Sequence, residues 1–257
     1  MKIQAKLFSV LALGLALSIG TVTAEAGEKG HAHWSYDGEH GPEHWGGMSR
    51  EFEKCSKGMR QSPIDITDAA GEKLPAIKFA YKPTKLKLLN NGHTIQVNYD
   101  KGSFITVGNE KYQLAQFHFH TPSEHTLGGK AFANELHLVH KSAKGGLAVV
   151  GILLEDGAEN PAYKNVFANL PKKSDETIDT AISINAESLL PADRSYYRYD
   201  GSLTTPPCSE GVNWFVLKTP IQLSKEQLAK YTEIFKKTNR PVQPLHDRKI
   251  KEAAAAK

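Results

Sequence analysis

Two short stretches, Gln-Phe-His-Phe-His at 116–120 and Glu-Leu-His-Leu-Val-His at 135–140, alternate strictly in polarity. Such alternation is typical of β-strands, in which side chains i and i+2 lie on the same face. His118 and His120 therefore share a face of the first strand, and His137 lies on one face of the second. If the strands are antiparallel neighbours, the three imidazoles converge. Three neutral nitrogen ligands and an open fourth position describe a catalytic zinc site.

The histidines alone do not establish a metal site, because a single histidine on a strand is usually an ordinary surface or core residue. Each histidine face also carries a polar partner, Gln116 beside His118 and Glu135 beside His137. Such a partner can fix which ring nitrogen of a ligating imidazole carries the proton. Core packing does not explain this pairing, which favours the metal site.

Four motifs, in order along the chain, resemble the α-class carbonic anhydrases. They are the two histidine strands, Ser-Glu-His-Thr at 123–126 and Gly-Ser-Leu-Thr-Thr-Pro-Pro at 201–207. The resemblance runs from about His33 to Ile250. The short link Thr121-Pro122 resembles the bacterial exported branch of that family, in which homodimers are often seen, and a homodimer is therefore an expectation here.

The resemblance implies reversible hydration of carbon dioxide to bicarbonate and a proton by a zinc-bound hydroxide. The Zn²⁺ ligands would be His118, His120 and His137. Three uncharged imidazoles suit this reaction, because they leave the full charge of the ion to act on bound water. The pKa of that water is then about 7, the value known for carbonic anhydrases. By resemblance, Thr204 accepts a hydrogen bond from the hydroxide and donates its own proton to Glu124. An ionised carboxylate can only accept, which makes Thr204 the donor.

The substrate needs an apolar wall beside the metal. Val139 lies two residues from His137 on the same strand face, so its spacing alone directs it towards the site. The resemblance adds further substrate-binding residues, with Leu147 expected as a neighbour: Val149, Leu203, Thr205 and Trp214.

The proton released by the reaction also needs a path to solvent. Turnover at the value known for carbonic anhydrases, about 10⁶ s⁻¹, requires an internal shuttle with a pKa near 7, and histidine fits. By resemblance, His93 occupies the shuttle position, and an ordinary surface histidine in a hairpin is the alternative. Tyr36 and Asn91 match the family's water network, whereas Gln96 stands where well-known members carry asparagine.

Residues 1–26 are predicted to be a secretory signal peptide, because two lysines precede an apolar run that ends in small residues. Cleavage is expected after Ala24 or Ala26. The run is short for a membrane span, and a retained membrane anchor is the alternative. We therefore expect a periplasmic or secreted protein, without a membrane partner after cleavage, whose catalytic domain spans 27–257.

The two cysteines, Cys55 and Cys208, are predicted to form one disulfide, because an exported protein folds in an oxidising compartment. The bridge would close a loop of about 150 residues and contribute on the order of 4–5 kcal/mol by the chain-entropy argument. It would also hold the segment that carries Thr204 and Thr205.

The composition is that of an ordinary soluble globular protein, with 40% hydrophobic and 23% charged residues. A formal net charge of only +4 argues against nucleic acid as a partner. Regularly spaced short strands and turn signals predict a single α+β, mainly β domain. The resemblance adds a central, mostly antiparallel twisted sheet of about ten strands. Two peripheral helices are predicted, one starting at Asn160-Pro161 and one at Ser224, where Gln227 completes a capping box.

Several other functions remain open from the sequence. A catalytically inactive relative would usually lack a zinc histidine, whereas all three are present. A zinc hydrolase of the His-Glu-x-x-His type or a serine hydrolase would need motifs that the sequence lacks. A zinc carrier would need a closed site with four ligands. The histidines at 31, 33, 40 and 44 lack regular ligand spacing, and they are interpreted as part of an aromatic N-terminal arm.

Overall fold

The computed structural model describes residues 33–252. The predicted signal peptide at 1–26 lies outside the described residues. Within 33–252, no helix is long and apolar enough to cross a membrane.

The described chain consists mainly of short strands. They are β1 Asp65–Ile66, β2 Ala70–Gly71, β3 Ile77–Ala80, β4 Thr84–Asn90, β5 Ile95–Asn98, β6 Phe104–Val107, β7 Glu110–His120, β8 Thr126–Leu127, β9 Asn134–Ser142, β10 Leu147–Asp156, β11 Thr177–Ile184, β12 Tyr196–Ser202, β13 Glu210–Leu217, β14 Ile221–Leu223 and β15 Lys251–Glu252. The α-helices are α1 Trp45–Met48, α2 Lys54–Lys57, α3 Pro161–Ala168 and α4 Lys225–Thr232. Three short 3-10 helices lie at Gly38–His40, Arg50–Phe52 and Ala186–Leu189.

One sheet of 13 strands organises the described part of the fold. Its main path runs β11-β4-β5-β7-β9-β10-β13-β12-β15-β2, and β3, β6 and β14 attach beside it. Most neighbours are antiparallel, whereas β10 pairs in parallel with β13 and β14, and β15 with β2. This arrangement confirms the predicted fold class, and the main path has the expected ten strands.

The two histidine strands, β7 and β9, are direct antiparallel neighbours at the centre of this sheet. Their register places His118 opposite His137, His120 opposite Glu135, and Gln116 opposite Val139. Because facing side chains in an antiparallel pair lie about 4.5–5.5 Å apart at their Cβ atoms, this register brings the polar groups together.

The opposite face of these strands builds the main hydrophobic core. Phe117, Phe119, Leu136 and Leu138 are fully buried there and pack with residues of α3 and α4. Alternation therefore separates a core face from a polar site face on the same two strands. The aromatic and leucine side chains fix the register that positions the histidines.

The two predicted helices begin where expected. The Asn160 side chain accepts a hydrogen bond from the Ala162 N–H at the start of α3, with Pro161 at the first helical position. Ser224 and Gln227 form the reciprocal capping box of α4. The helix α4 ends at Thr232.

The predicted disulfide is present and joins Cys55 in α2 to Cys208, 153 residues later in the chain. Both cysteines are buried in a small cluster with Tyr36, Trp45 and Phe52. The bridge therefore ties the N-terminal arm to the segment after Thr205, whose carbonyl accepts a hydrogen bond from the Cys208 N–H.

His140 lies on the core face of β9, opposite to the site face, and is fully buried. Its Nε2 lies 2.8 Å from the Tyr81 hydroxyl, and its Nδ1 lies 3.3 Å from the Ala148 carbonyl oxygen. The neutral ring satisfies both contacts by donating to the carbonyl and accepting from the tyrosine. Burial lowers the pKa of His140 to about 3.

We expect His140 to make the metal-free protein sensitive to acid. The unfolded chain, with a histidine pKa of about 6.5, binds a proton that the folded chain refuses, so stability is lost as the pH falls from about 6.5 towards 3. Between pH 7.5 and 5 this residue should cost about 2 kcal/mol of unfolding free energy. In the double variant His140→Leu/Tyr81→Phe, the unfolding free energy from urea denaturation should fall by about 2 kcal/mol less between pH 7.5 and 5 than it does in the parent. An unchanged pH dependence would contradict the assignment.

Candidate metal centre

The three predicted ligands converge in the structure. One ring nitrogen from each of His118, His120 and His137 lies within 4.8 Å of the others. His120 and His137 are buried, while His118 remains partly exposed. The ligand group is thus shielded from solvent at His120 and His137 and is accessible at His118.

The remaining ring nitrogens are held by acceptors, which determines the nitrogen that each imidazole can offer. His118 Nδ1 lies 2.8 Å from Gln116 Oε1, and His120 Nδ1 lies 2.5 Å from the Thr238 carbonyl oxygen. His137 uses the other nitrogen, with Nε2 2.9 Å from Glu135 Oε1. Since amide, carbonyl and carboxylate oxygens only accept, these nitrogens carry the protons.

The donor set fits a zinc ion. The lone pairs on Nε2 of His118, Nε2 of His120 and Nδ1 of His137 are left for a metal. His120 Nε2 is buried without a hydrogen-bond partner among the described residues. A buried polar atom is normally satisfied, and a metal ion accounts for this exception.

Burial also keeps the imidazoles uncharged. It is the largest cause that lowers the pKa of all three, to about 4 for His120 and well below the usual value for His118. Mutual repulsion adds to this effect, because His120 lowers the pKa of both His118 and His137. Neutral imidazoles are the form that binds metals.

Glu135 is the centre of a buried hydrogen-bond network behind His137. Its Oε1 accepts from His137 and from His125 Nδ1 at 2.7 Å. Its Oε2 accepts from the backbone N–H groups of Glu124 and His125. These contacts hold the Glu135 pKa well below its usual value, against the opposing effect of burial. His125, Glu135 and His137 also cluster closely enough for a metal, but these hydrogen bonds already account for their proximity.

The network continues from His125 through Tyr199 to Ser62, which precedes strand β1. His125 Nε2 lies 2.6 Å from the Tyr199 hydroxyl, which lies 2.9 Å from Ser62 Oγ. The His125 ring thus links Glu135 to the Tyr199 hydroxyl, which donates to Ser62 Oγ, and Ser62 Oγ also accepts from the Ser202 backbone N–H.

Glu124 and Thr204 are both buried beside the ligands. Glu124 Oε1 accepts a hydrogen bond from the Arg240 backbone N–H at 2.8 Å, and Oε2 lies 3.5 Å from His120 Nε2. Burial raises the pKa of Glu124 to about 7, while His137, the Arg240 amide and the Thr204 side chain act in the opposite direction. The carboxylate thus depends on its donors to remain ionised.

The predicted apolar wall forms one row across three strands. Val139 on β9 pairs with Val149 on β10, and Val149 pairs with Trp214 on β13. Val149 and Trp214 belong to one buried cluster, and Leu147 and Leu203 pack against it. The structure therefore brings these residues together on the site face of the sheet.

A cleft of about 120 Å³ leads to the histidines. Its lining includes the partly exposed Thr205 and the predicted proton-network residues, namely Tyr36, Asn91, His93 and Gln96. His93 stacks on Trp34 with ring centroids 3.7 Å apart. Burial, followed by the neighbouring His33, lowers the pKa of His93.

Two of these polar residues are already engaged locally. Asn91 Oδ1 accepts from the backbone N–H groups of His93 and Thr94, which fixes the turn that carries His93. Gln96 Nε2 donates to Asn98 Oδ1 at 2.7 Å. Tyr36, by contrast, has a buried hydroxyl without a hydrogen-bond partner among the described residues. Burial, aided by Glu124, raises its pKa well above the usual value.

Sequence reasoning missed three residues that complete the site: His125, Thr238 and Arg240. His125 lies within the quoted Ser-Glu-His-Thr motif, and that motif was the available signal. Thr238 and Arg240 act through backbone groups in a segment without regular secondary structure. Contacts made by backbone groups cannot be recognised from the pattern of residue types in the sequence. Of the N-terminal histidines, His33, His40 and His44 are exposed and lie outside the ligand cluster, while residue 31 lies outside the described residues.

Comparisons with known proteins agree with this geometry. The sequence profile of the family described as eukaryotic-type carbonic anhydrase matches residues 40–254. A carbonic anhydrase of Klebsiella pneumoniae is 45% identical over 92% of this chain and 95% of its own length. One from a Nostoc species is 44% identical, over 96% of each chain.

A solved structure supports the same relationship. The α-carbonic anhydrase of Thermovibrio ammonificans, determined in complex with the inhibitor sulfanilamide, superposes with a TM-score of 0.84 and 44% sequence identity. The match covers 86% of this chain and all of that one. On sequence profile, identity and fold together, the chain belongs to the α-class carbonic anhydrase family of enzymes.

Proposed function

We propose that this carbonic anhydrase hydrates carbon dioxide reversibly at a zinc ion held by His118, His120 and His137, and that His93 carries the released proton towards solvent. The observation that carries the proposal is the convergence of three imidazole nitrogens whose partner nitrogens are each held by an acceptor. When bound, zinc supplies a Lewis acid that allows water to attack carbon dioxide at neutral pH.

Glu135, Gln116 and the Thr238 carbonyl orient the three ligands. Each holds one imidazole in a single tautomer and ring orientation before the metal arrives. Preorganised partners of this kind typically change metal affinity by about 10–100-fold. The ionised Glu135 also makes His137 a stronger donor.

Thr204 would orient the attacking oxygen. With Glu124 accepting its proton, the Thr204 hydroxyl presents only lone pairs to the cleft, so it accepts a hydrogen bond from the attacking group. This directs the remaining lone pair of that oxygen towards carbon. Both side chains are buried, and Glu124 Oε2 has no hydrogen-bond partner among the described residues, so this oxygen is available to accept the Thr204 proton.

The row Val139, Val149 and Trp214 would hold carbon dioxide, which is small, neutral and without a hydrogen-bond donor. Val149→Tyr should therefore block the substrate volume, with kcat/KM falling by roughly 10²-fold or more while stoichiometric zinc is retained. Stopped-flow hydration assays with metal analysis check this. Val149→Ala serves as the control and should stay within about tenfold of the parent. Unchanged activity in Val149→Tyr would remove the wall from the substrate site.

His93 offers a neutral imidazole as the proton acceptor, and burial, by lowering its pKa, makes the ring a weaker base than an exposed histidine. It lies in the same cleft lining as His118 and His120. Free hydroxide, at about 10⁻⁷ M and a diffusional limit of ~10¹⁰ M⁻¹s⁻¹, would support only ~10³ turnovers per second. A faster enzyme needs this internal acceptor.

We expect His93→Ala to lower kcat in weak buffer by roughly tenfold or more and to leave kcat/KM unchanged, since proton release follows the attack on carbon dioxide. Added imidazole should restore kcat. His44→Ala, which alters an exposed histidine of the N-terminal arm, should have no effect. Failure of imidazole to restore turnover would refute the shuttle role.

We further propose that the protein acts outside the cytoplasm, as the predicted signal peptide at 1–26 implies. The Cys55–Cys208 disulfide supports this proposal, because such bonds form and persist in oxidising compartments. The catalytic domain at 27–257 and the homodimer stay predictions. Sizing of the purified mature protein together with its N-terminal sequence would test them.

One experiment separates the proposed function from its alternatives. Purified protein is analysed for metal and assayed for carbon dioxide hydration by stopped flow. One zinc per chain with rapid hydration supports the proposal. Zinc without hydration would favour a carrier or a binding module, and absence of stoichiometric zinc would overturn the ligand assignment.

A further inference from the structure

The segment Thr238–Arg240 has no regular secondary structure, yet its backbone makes two contacts with the candidate site. The Thr238 carbonyl accepts from His120 Nδ1, and the Arg240 N–H donates to Glu124 Oε1. The orientation of a ligand and of the buried carboxylate therefore both depend on where this segment lies.

Thr238 is fixed on one side by a reciprocal pair with Thr121. The Thr238 N–H donates to the Thr121 carbonyl at 2.7 Å, and the Thr121 N–H donates to Thr238 Oγ1 at 2.9 Å. This pair anchors the His120 acceptor. It does not by itself fix the Arg240 amide, which lies two residues further along the chain.

The Arg240 side chain provides the second anchor. It is only 1% exposed. Nη1 donates to Gln61 Oε1 at 2.8 Å and to the Ser62 carbonyl at 2.9 Å, and Nη2 donates to the Cys55 carbonyl at 2.6 Å. Because the guanidinium is planar, three acceptors in fixed directions determine its position closely.

Gln61 closes these contacts into a ring. Its Nε2 donates to the Cys208 carbonyl at 3.1 Å, and Cys208 is bonded to Cys55 through the disulfide. We call the ring of Cys55, Cys208, Gln61 and Arg240 the arginine brace. It connects the disulfide to the backbone amide that holds Glu124.

The guanidinium forms no salt bridge with a carboxylate among the described residues, and its Nε has no hydrogen-bond partner there. Burial lowers the pKa of Arg240 to about 10, and Glu124 is the charged group that acts in the opposite direction. A buried cation without a close counter-ion is costly. Here the three oxygen acceptors and the Trp45 ring, whose centroid lies 5.8 Å from the guanidinium carbon, stand in place of a carboxylate. An apolar side chain at this position would leave those acceptors unpaired.

We propose that Arg240 and Gln61 are positioning residues for Glu124, and that the arginine brace transmits the constraint of the disulfide to that carboxylate. The inference rests on the proposed function for its catalytic consequence, because Glu124 is there the acceptor that orients Thr204. Its structural half concerns only the Arg240 amide and stands independently of the metal.

The test measures the amide at position 240 directly, in metal-free protein, by hydrogen exchange observed with ¹⁵N NMR. In the parent protein, the hydrogen bond to the Glu124 carboxylate should protect this amide from exchange and shift its ¹H resonance downfield. Arg240→Met and Gln61→Met should each make exchange of the amide at position 240 at least tenfold faster and move its ¹H resonance back upfield. Mild reduction of the disulfide should act in the same direction. In the zinc-loaded protein, kcat/KM should fall by about tenfold while zinc content stays unchanged.

Arg248→Met is the matched control. Arg248 is also largely buried, and its guanidinium donates to the carbonyls of Pro244, Leu245 and Asp200. Its replacement removes a similar set of contacts and should leave the amide at 240 and kcat/KM unaltered.

The outcomes separate the two proposals. If the amide at 240 keeps its protection in Gln61→Met and after reduction, the brace does not position Glu124, even if Arg240→Met fails to fold. If Arg248→Met changes the same amide to the same extent, the effect is general destabilisation and the inference is wrong. If the amide responds as expected but the zinc-loaded parent is inactive, the proposed function fails while the positioning stands.

Discussion

His137→Ala should yield a folded protein without stoichiometric zinc, and its carbon dioxide hydration should fall by on the order of 10⁴-fold or more. The remaining two imidazoles cannot complete a tetrahedral site with one open position. Without the ion, the pKa of this water returns to the much higher value of bulk water, so at neutral pH it ceases to be a useful nucleophile. Metal analysis, circular dichroism and stopped-flow hydration measure the three parts of this result.

The same strand offers a control. His140 is also buried on β9, but it lies on the core face against Tyr81. The double variant His140→Leu/Tyr81→Phe should keep one zinc per chain and near-parental hydration. Glu135→Gln should be intermediate, with zinc affinity lowered by about 10–100-fold, because it weakens the orientation of His137 and of the surrounding network but removes no ligand. Full zinc occupancy in His137→Ala would contradict the ligand assignment.

The second large effect is expected at Thr204. Thr204→Ala should lower kcat/KM by about 10²–10³-fold with zinc retained, the usual cost of removing one preorganised hydrogen-bonding group from an active site. Thr204→Ser keeps the hydroxyl and should remain within about tenfold of the parent. Stopped-flow assays at matched zinc content provide the measurement.

A double-mutant cycle tests whether Thr204 acts together with Glu124. Glu124→Gln removes the obligatory acceptor, so Thr204 is free to donate into the cleft. If the two residues form one unit, the combined variant should lose little more than Thr204→Ala alone. Losses that simply add would show that the residues act separately.

Side-chain alternation predicted the histidine strands and the convergence of the three imidazoles, whereas the sheet of about ten strands was implied by the resemblance to carbonic anhydrases. Phe117 and Phe119 on one face of β7 and the polar residues on the other gave the strand, its buried side and the shared face of His118 and His120. The strand β11, Thr177–Ile184, was missed. Most of its residues are exposed or half-buried, so its apolar signal is weak.

The rest of the site could not be predicted because it depends on contacts between distant segments. The acceptor for His120 is the carbonyl of Thr238, 118 residues away, and the donor to Glu124 is the amide of Arg240, 116 residues away. Every residue type has a carbonyl, and every type except proline has an N–H, so neither role is visible in residue identity. The arginine at 240 gives no such signal either, because its unusual environment becomes apparent only when its burial is known.

The late position of these two backbone groups has a consequence for biosynthesis. The histidines are made by residue 137, but the group that orients His120 arrives only at Thr238, and strand β15 at Lys251–Glu252 joins the sheet between β12 and β2. During synthesis from the amino end, about a hundred residues are therefore added between the last of the three histidines and the carbonyl that orients His120. A chain that ended before Thr238 would therefore leave His120 Nδ1 without its acceptor.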